Sequence, residues 1–205
     1  MRGPGIALAA TLAALAATTP ARAEDDGVYG RLEGDLELRA EAGAGFASGG
    51  PSLAAGVSAL YLGTAGLYVH YTDAFGSRGA DVTRSIAAGL HLEPLFLARY
   101  ASDLEHGPAR LDLMIDSFGL EVGSFWSAPR GSGLAAEPGL ELAATFAVPL
   151  LARVSGPFLA LRGALRLRQD DAAAALDRAG LFSLTLSFRA VVPVHIVDAG
   201  DRLSR

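Results

Sequence analysis

Charged and uncharged side chains alternate strictly through residues 31–42, which read RLEGDLELRAEA. Every odd position is Arg, Glu or Asp, and every even position is Leu, Gly or Ala. An α-helix would spread both sets around its circumference because its period is 3.6 residues, whereas a β-strand sends them to opposite faces. This segment therefore predicts an amphipathic strand with one ionised face.

The same two-residue period recurs along the chain and predicts about eight strands in all. The other segments with this pattern are residues 52–62, 66–72, 83–93, 118–126, 139–148, 158–168 and 181–192. Turn-forming sequences separate several of them, among them SGGP at 48–51, GT at 63–64 and SGP at 155–157. Amphipathic strands joined by mostly short connections predict an all-β fold, a closed antiparallel up-and-down barrel.

Residues 94–117, between the fourth and fifth strands, follow a different pattern. The apolar residues in their first half have the spacing of a short helix, and Gly107-Pro108 could begin a second one. Residues 110–116 also alternate, so a strand is the alternative there. We expect a short helical insertion between strands four and five.

The N-terminus has the features of a secretory signal peptide over residues 1–23. Arg2 precedes an apolar run at residues 6–17, and ARA at 21–23 fits an A-x-A cleavage site. The barrel domain is then expected to span residues 24–205, with residues 193–205 as a C-terminal tail. The mature part has no uninterrupted apolar run of 18 residues, so the sequence predicts no transmembrane helix.

Composition excludes several classes of protein. The chain is 51% hydrophobic and 19% charged, with a mean hydropathy of +0.33, which is too apolar for a disordered protein. The net charge of -5 offers no electrostatic footprint for nucleic acid. The absence of Cys excludes disulfides, cysteine-ligated zinc and a thiol nucleophile.

Side-chain size indicates which face of the barrel would point inward. The polar faces of the second, fourth and sixth strands carry small residues such as Gly56, Ala87 and Ala143. The interior of an eight-stranded barrel is just filled by side chains and requires such small groups. We therefore expect the bulky apolar face to meet lipid. The opposite arrangement, with that face inside a water-soluble barrel, is the alternative.

Charged residues on the polar faces predict an ion-pair network inside the barrel. The first strand is mostly acidic, the seventh and eighth are basic, and strands one and eight are neighbours in a closed barrel. Opposite charges on adjacent interior rows would pair, which offsets the cost of burying them. The predicted network comprises Arg31, Glu33, Asp35, Glu37, Arg39, Glu41, Arg162, Arg166, Arg168 and Arg189.

Candidate catalytic groups are few. His91 and Glu93 share a strand face, and we expect His70 on the preceding strand to face the same interior, so these three are candidates for an acid–base role. The alternative is that they are structural members of the polar interior. The chain has no metal-ligand His spacing, no G-x-S-x-G and no G-x-G-x-x-G placed for a nucleotide, so no cofactor or metal is expected and a non-enzymatic role is favoured.

With a signal peptide and alternating strands through nearly all of residues 24–205, the chain resembles the small outer-membrane β-barrel proteins of Gram-negative bacteria. The resemblance is architectural and carries no functional motif. It implies a monomer surrounded by outer-membrane lipid, with outward loops that contact an unidentified protein or surface partner. It also implies a filled interior, no open pore and a periplasmic location for the insertion 94–117.

Two other functions are compatible with the sequence. The first is a soluble periplasmic barrel that binds a small apolar ligand, as a lipocalin does. The second is a lipid-modifying barrel enzyme of the outer membrane that uses His70 or His91. The three hypotheses differ in where the apolar face and the two histidines point.

Overall fold

Eight antiparallel strands form a closed barrel. The computed structural model describes residues 29–31, 34–47, 50–74, 82–104, 107–129, 133–134, 137–170 and 175–194. The strands are β1 (Leu36–Ala47), β2 (Gly50–Tyr61), β3 (Ala65–Asp73), β4 (Val82–Leu92), β5 (Gly119–Pro129), β6 (Gly139–Pro149), β7 (Gly156–Asp170) and β8 (Ala175–Val192). Each strand pairs with its neighbours in sequence, and β1 also pairs with β8. The predicted closed up-and-down barrel is confirmed.

Closure is complete along β1, which is hydrogen-bonded on both sides. Glu41, near its centre, lies opposite Gly56 of β2 and Ser187 of β8. No strand is therefore left with an unpaired edge, which is the feature that makes open sheets associate. The β2–β3 hairpin turns at Leu62 and Gly63, both with positive φ, and the Thr64 N–H donates to the Tyr61 carbonyl (3.0 Å). A predicted turn thus lies at this position.

The connection between β4 and β5 contains two short helices, α1 (Leu95–Ala101) and α2 (Ala109–Asp116). The predicted helical insertion is confirmed, and the strand alternative for residues 110–116 is wrong. The helix is favoured because Asp112, Leu113 and Asp116 are buried together, and their spacing places them on one face of a helix. Neither described helix is long and apolar enough to cross a membrane.

Two strands start five or more residues from the predicted position. β1 begins at Leu36 and not at Arg31, because Tyr29 and Gly30 adopt positive φ values and direct Arg31 away from the sheet. Gly34 lies directly against the backbone of residues 192–193, at the end of the β1–β8 hydrogen-bond ladder. β8 begins at Ala175, six residues before the predicted start, since β7 and β8 continue to pair beyond the region of clear alternation.

Both described chain ends lie at one end of the barrel, which we call the lower end. The β2–β3 and β6–β7 turns and the two helices lie there as well, because β1 starts there and successive strands alternate in direction. The predicted signal peptide at 1–23 and the tail beyond residue 194 lie outside the described residues.

Candidate functional site in the barrel interior

On the described strands, most charged residues turn inward and most large apolar residues turn outward, although Arg84 of β4 has a side chain that is 65% exposed. Glu37, Arg39 and Glu41 on β1 are mostly enclosed, whereas Leu67 on β3 is 63% exposed. All eight strands have an exposed large apolar residue on the outer face, which includes Phe46, Leu53, Val57, Leu67, Val69, Val82, Leu90, Leu92, Leu120, Val122, Leu140, Leu142, Leu159, Leu165, Phe182, Leu184, Leu186 and Phe188. The site is therefore the polar interior of the barrel.

The upper part of the interior is organised around Glu141 of β6, which is fully buried. Arg162 donates from Nη2 to one carboxylate oxygen (2.5 Å), and Arg166 donates from Nε to the other (2.6 Å). The Tyr68 hydroxyl donates to the same carboxylate (3.2 Å). Arg166 also donates to the Ser85 hydroxyl (2.6 Å). One carboxylate thus orders two guanidinium groups from the neighbouring strand.

The middle of the interior contains two histidines that share the carboxylate of Glu121. His91 Nδ1 lies 2.9 Å from Glu121 Oε1, and His70 Nε2 lies 3.3 Å from the same oxygen. Arg162 donates from Nε to the other oxygen, Oε2 (2.7 Å). The second nitrogen of His70 lies 3.3 Å from Glu41 Oε1. Carboxylates and imidazoles therefore alternate across the barrel.

The lower part of the interior holds a bidentate pair between Arg39 and Glu93. The two terminal nitrogens of Arg39 donate to the two oxygens of Glu93 (2.5 and 2.7 Å), and its Nε donates to Glu37 (2.7 Å). Arg189 lies opposite Arg39 in the β1–β8 register, with Nη1 3.6 Å from Glu37. Its guanidinium stacks 4.0 Å from the centre of the Phe158 ring.

A second ionic cluster closes the lower end of the barrel. Tyr29 packs with Leu113 of α2 and Val154 of the β6–β7 turn, and its hydroxyl donates to Asp112 (2.8 Å). Arg99 of α1 bonds to Asp112 and also to Asp116 (2.7 Å). We call the helices, residues 29–31 and the β6–β7 turn the lower cap.

In the lower cap, the pKa values of Asp112 and Arg99 are shifted in ways that bear on its stability. Burial alone would raise the pKa of Asp112, but hydrogen bonds from Arg99, Tyr29 and the Gly107 N–H hold that pKa below its usual range. The pKa of Arg99 is raised, since the bonds to Asp112 and Asp116 outweigh the opposing effect of desolvation. Both groups are therefore charged at neutral pH.

The structure brings together only part of the network predicted from sequence. Arg39, Glu37 and Arg189 meet at the β1–β8 seam, as expected for neighbouring strands. Arg162 pairs with Glu121 of β5 and with Glu141 of β6, and Arg166 pairs with Glu141, so the acids that these two arginines contact lie on β5 and β6. The reason is register, because Glu141 lies directly opposite Arg166 in the β6–β7 pair.

Three predicted members lie elsewhere, and a fourth is not described. Arg31 belongs to the lower cap, where it donates to Asp116 (2.7 Å) and lies 4.4 Å from the Phe96 ring centre. Asp35 lies before β1 and accepts from the Val194 N–H (2.6 Å). Arg168 lies higher in β7, with Nη1 3.3 Å from the Ser127 hydroxyl. Glu33 lies outside the described residues.

Glu121 and Glu141 are the important interior residues that the predicted network omits. Both stand on the polar faces of predicted strands, so the alternation itself contained the signal. The three acid–base candidates do meet: His70 and His91 share Glu121, and His91 Nε2 lies 3.4 Å from Glu93 Oε1. Within the described residues, no cluster of three or more ligands is arranged to hold a metal ion.

A scan against protein-family models finds no match, and a search of curated proteins finds none. Among solved structures, this chain is similar to the outer membrane protein OprG from Pseudomonas aeruginosa. The two are 8% identical, the match covers 78% of this chain and 97% of that chain, and the TM-score is 0.43. An identity of 8% carries no residue roles from that protein to this one.

Proposed function

We propose that this protein is an integral outer-membrane barrel with a structural or surface-interaction role. The observation that carries the proposal is the outer face: large apolar side chains project outward on all eight strands, while most of the ionised groups on the strands turn inward. Water-soluble monomers rarely expose a continuous apolar surface of this kind. A surrounding hydrocarbon phase would remove the cost of exposing it.

Strand length and closure support the same proposal. A tilted strand needs about 9–11 residues to cross the hydrocarbon core of a bilayer. The shortest strand, β3, has 9 residues, and the longest, β8, has 18. Because the closed sheet has no free edge, every strand backbone can be satisfied without water, and no partner strand is needed. We expect a monomer.

The dense interior favours a structural role over conduction. Tyr68, Phe158 and Glu141 are almost completely buried, and the arginines bridge from strand to strand across the lumen. Large aqueous channels occur in barrels with many more strands. We therefore expect little passive permeation of solutes. Interaction with a partner would fall to the connections at the upper end.

The two alternative functions receive less support. A lipocalin-like protein would need the Leu and Phe face inside to hold an apolar ligand, and that face points outward. A lipid-modifying enzyme would need a catalytic group at the lipid boundary. His70 and His91 instead face Glu121 in the interior.

Cell fractionation tests the proposal. The full-length chain, expressed in a Gram-negative host, should lose residues 1–23 and sediment with the outer membrane. The purified protein should need detergent to stay monodisperse and should migrate differently on gels before and after boiling, because closed barrels resist unfolding by cold SDS. A mature protein that is monodisperse in detergent-free buffer would overturn the proposal.

A further inference from the structure

A small cavity lies inside the barrel, and both histidines line it. Its volume is about 40 Å³. A single water occupies roughly 10–15 Å³ on the same measure, so the space suits a monatomic ion or a few waters. The polar side chains that line it are Arg39, Glu41, Ser58, His70, His91, Glu93, Ser117, Glu121, Thr145, Arg162, Ser187 and Arg189.

Gly119 lies directly beside two of the residues that line this cavity. A Cβ at Gly119 would overlap the Thr145 hydroxyl and come within 2.7 Å of His91 Nε2. Those two polar atoms therefore lie close together against the Gly119 backbone. A side chain at this position would displace one or both of them.

Hydrogen-bonding groups that line the cavity have unused capacity. Arg189 is 6% exposed, and its Nε–H has no hydrogen-bond partner among the described residues. The Thr145 hydroxyl also has no hydrogen-bond partner among these residues. His91 is 4% exposed; its Nδ1 must donate to Glu121, and its Nε2 makes no hydrogen bond there but lies 3.4 Å from Glu93. A buried donor without an acceptor costs free energy, so the Arg189 Nε–H and the Thr145 hydroxyl call for a ligand that supplies lone pairs. His91 Nε2 joins them as a donor only when the imidazole is protonated.

The carboxylates around the cavity do not fill this need, since each is already engaged. Arg39 holds Glu93 through two hydrogen bonds, and Arg162 and both histidines hold Glu121. Glu41 accepts from the Thr185 hydroxyl (3.0 Å) and faces His70. Arg189 is the least compensated cation, with one carboxylate at 3.6 Å.

Counting the charges that face this region shows how an anion would be balanced. The acids are Glu37, Glu41, Glu93, Glu121 and Glu141, and the permanent cations are Arg39, Arg162, Arg166 and Arg189. One protonated histidine makes the set neutral, and protonation of both His70 and His91 leaves one positive charge. The Tyr68 hydroxyl also faces the set.

We propose that this cavity binds one halide-sized inorganic anion, such as chloride, between Arg189, Thr145 and His91. Protonation of the second histidine accompanies binding, because the anion then balances the extra charge. Thermodynamic reciprocity requires that a lower pH tightens anion binding and that the anion favours protonation. The proposal depends on the interior alone and stands whether lipid or water surrounds the barrel.

Halide-dependent stability tests the proposal on the folded protein in detergent micelles. The thermal midpoint should rise when sodium gluconate is replaced by sodium chloride or bromide at constant ionic strength. One proton is taken up by the pair His70 and His91 when one anion binds. Above the pH at which the pair releases that proton, the apparent Kd should therefore rise about tenfold per pH unit. Bromide soaked into crystals should give an anomalous peak beside Arg189 and Thr145.

Two variants and a matched control locate the effect. Gly119→Ala displaces the Thr145 hydroxyl and His91 Nε2 from their positions, and Thr145→Val removes the hydroxyl at constant shape. Each should weaken the apparent Kd by about tenfold or more. Gly163→Ala is the control, because a Cβ there meets no heavy atom within 4 Å, and it should keep the wild-type response. Thr145→Val decides the matter if Gly119→Ala does not fold.

Three results would overturn the proposal. The first is a wild-type midpoint that does not distinguish chloride from gluconate at pH 6. The second is an undiminished response in Thr145→Val. The third is a cavity that holds water molecules while bromide binds elsewhere.

Discussion

At the scale of single residues, the interior is stabilised by carboxylates that each serve more than one cation. Glu141 has no solvent exposure and accepts from both Arg162 and Arg166. Removing one partner of a buried pair is far more costly than the pair is stabilising, because the remaining charge is stranded in a medium of low polarity. Glu141 is the extreme case, because its loss leaves two buried guanidinium groups without the carboxylate that they share.

Glu141→Gln should therefore reduce the free energy of unfolding by about 3–5 kcal/mol. The substitution keeps the shape of the side chain and removes its charge. Urea denaturation of the protein in micelles measures the effect through the shift in midpoint. Glu137→Gln is the control, because Glu137 is exposed outside the strands, and its midpoint should not change. Equal midpoints for both variants would contradict the role given to Glu141.

The interior residues were predictable from the sequence as a set, but their partners were not. Strand alternation assigns Glu121, Glu141 and Arg162 to one face, and the structure places all three inside. Which acid meets which base depends on register and on reach across the lumen. Arg162, for example, contacts Glu121 two strands away as well as Glu141 next to it. The period of a single strand contains no information on either quantity.

At the scale of elements, the lower cap is a separate ionic unit placed against the barrel. Its helices were predictable from apolar spacing. Its contacts with Tyr29 and Arg31 were not, because the alternation before β1 continues without a break through Arg31. The turn at Tyr29 and Gly30 overrides that local pattern. Bonds to Asp112 and Asp116 on α2 then fix these two side chains.

Asp112→Asn should destabilise the lower cap at pH 7 by about 1–3 kcal/mol, since Asp112 accepts from Arg99, Tyr29 and Gly107. The pKa of Asp112 is lower in the folded protein than in the unfolded chain. Its contribution is therefore complete above about pH 4 and is lost as pH falls through the lowered value.

Hydrogen exchange of the cap amides measures this effect as a ratio of protection between wild type and variant at each pH. The ratio should be largest at neutral pH and should shrink below about pH 4. Arg110→Gln is the control on the same helix, because Arg110 is exposed, and it should leave protection unchanged. A ratio of one at pH 7 would show that Asp112 does not hold the cap.

At the scale of the whole molecule, the barrel has the opposite polarity to a water-soluble domain. Most of the ionised groups on its strands are enclosed, and every strand exposes large apolar groups. Alternation alone was consistent with both arrangements, since each gives the same period. The small residues of the polar face, such as Ala54 and Ala87, favoured an inward polar face, and both are buried. The solvent around the barrel therefore determines whether this surface is stable.

Leu184→Arg distinguishes a lipid surround from water. Leu184 projects outward near the middle of β8, and Leu134, which is 50% exposed, lies outside the strands. In lipid vesicles, an arginine near the bilayer midplane should cost about 2–4 kcal/mol of folding free energy, whereas Leu134→Arg should cost close to nothing. Urea unfolding midpoints measured in vesicles compare the two variants. If water surrounded the barrel, both substitutions would replace an exposed apolar group by a solvated charge, and the two midpoints would coincide. A clear gap between them requires hydrocarbon against β8, and coincident midpoints would contradict a membrane location.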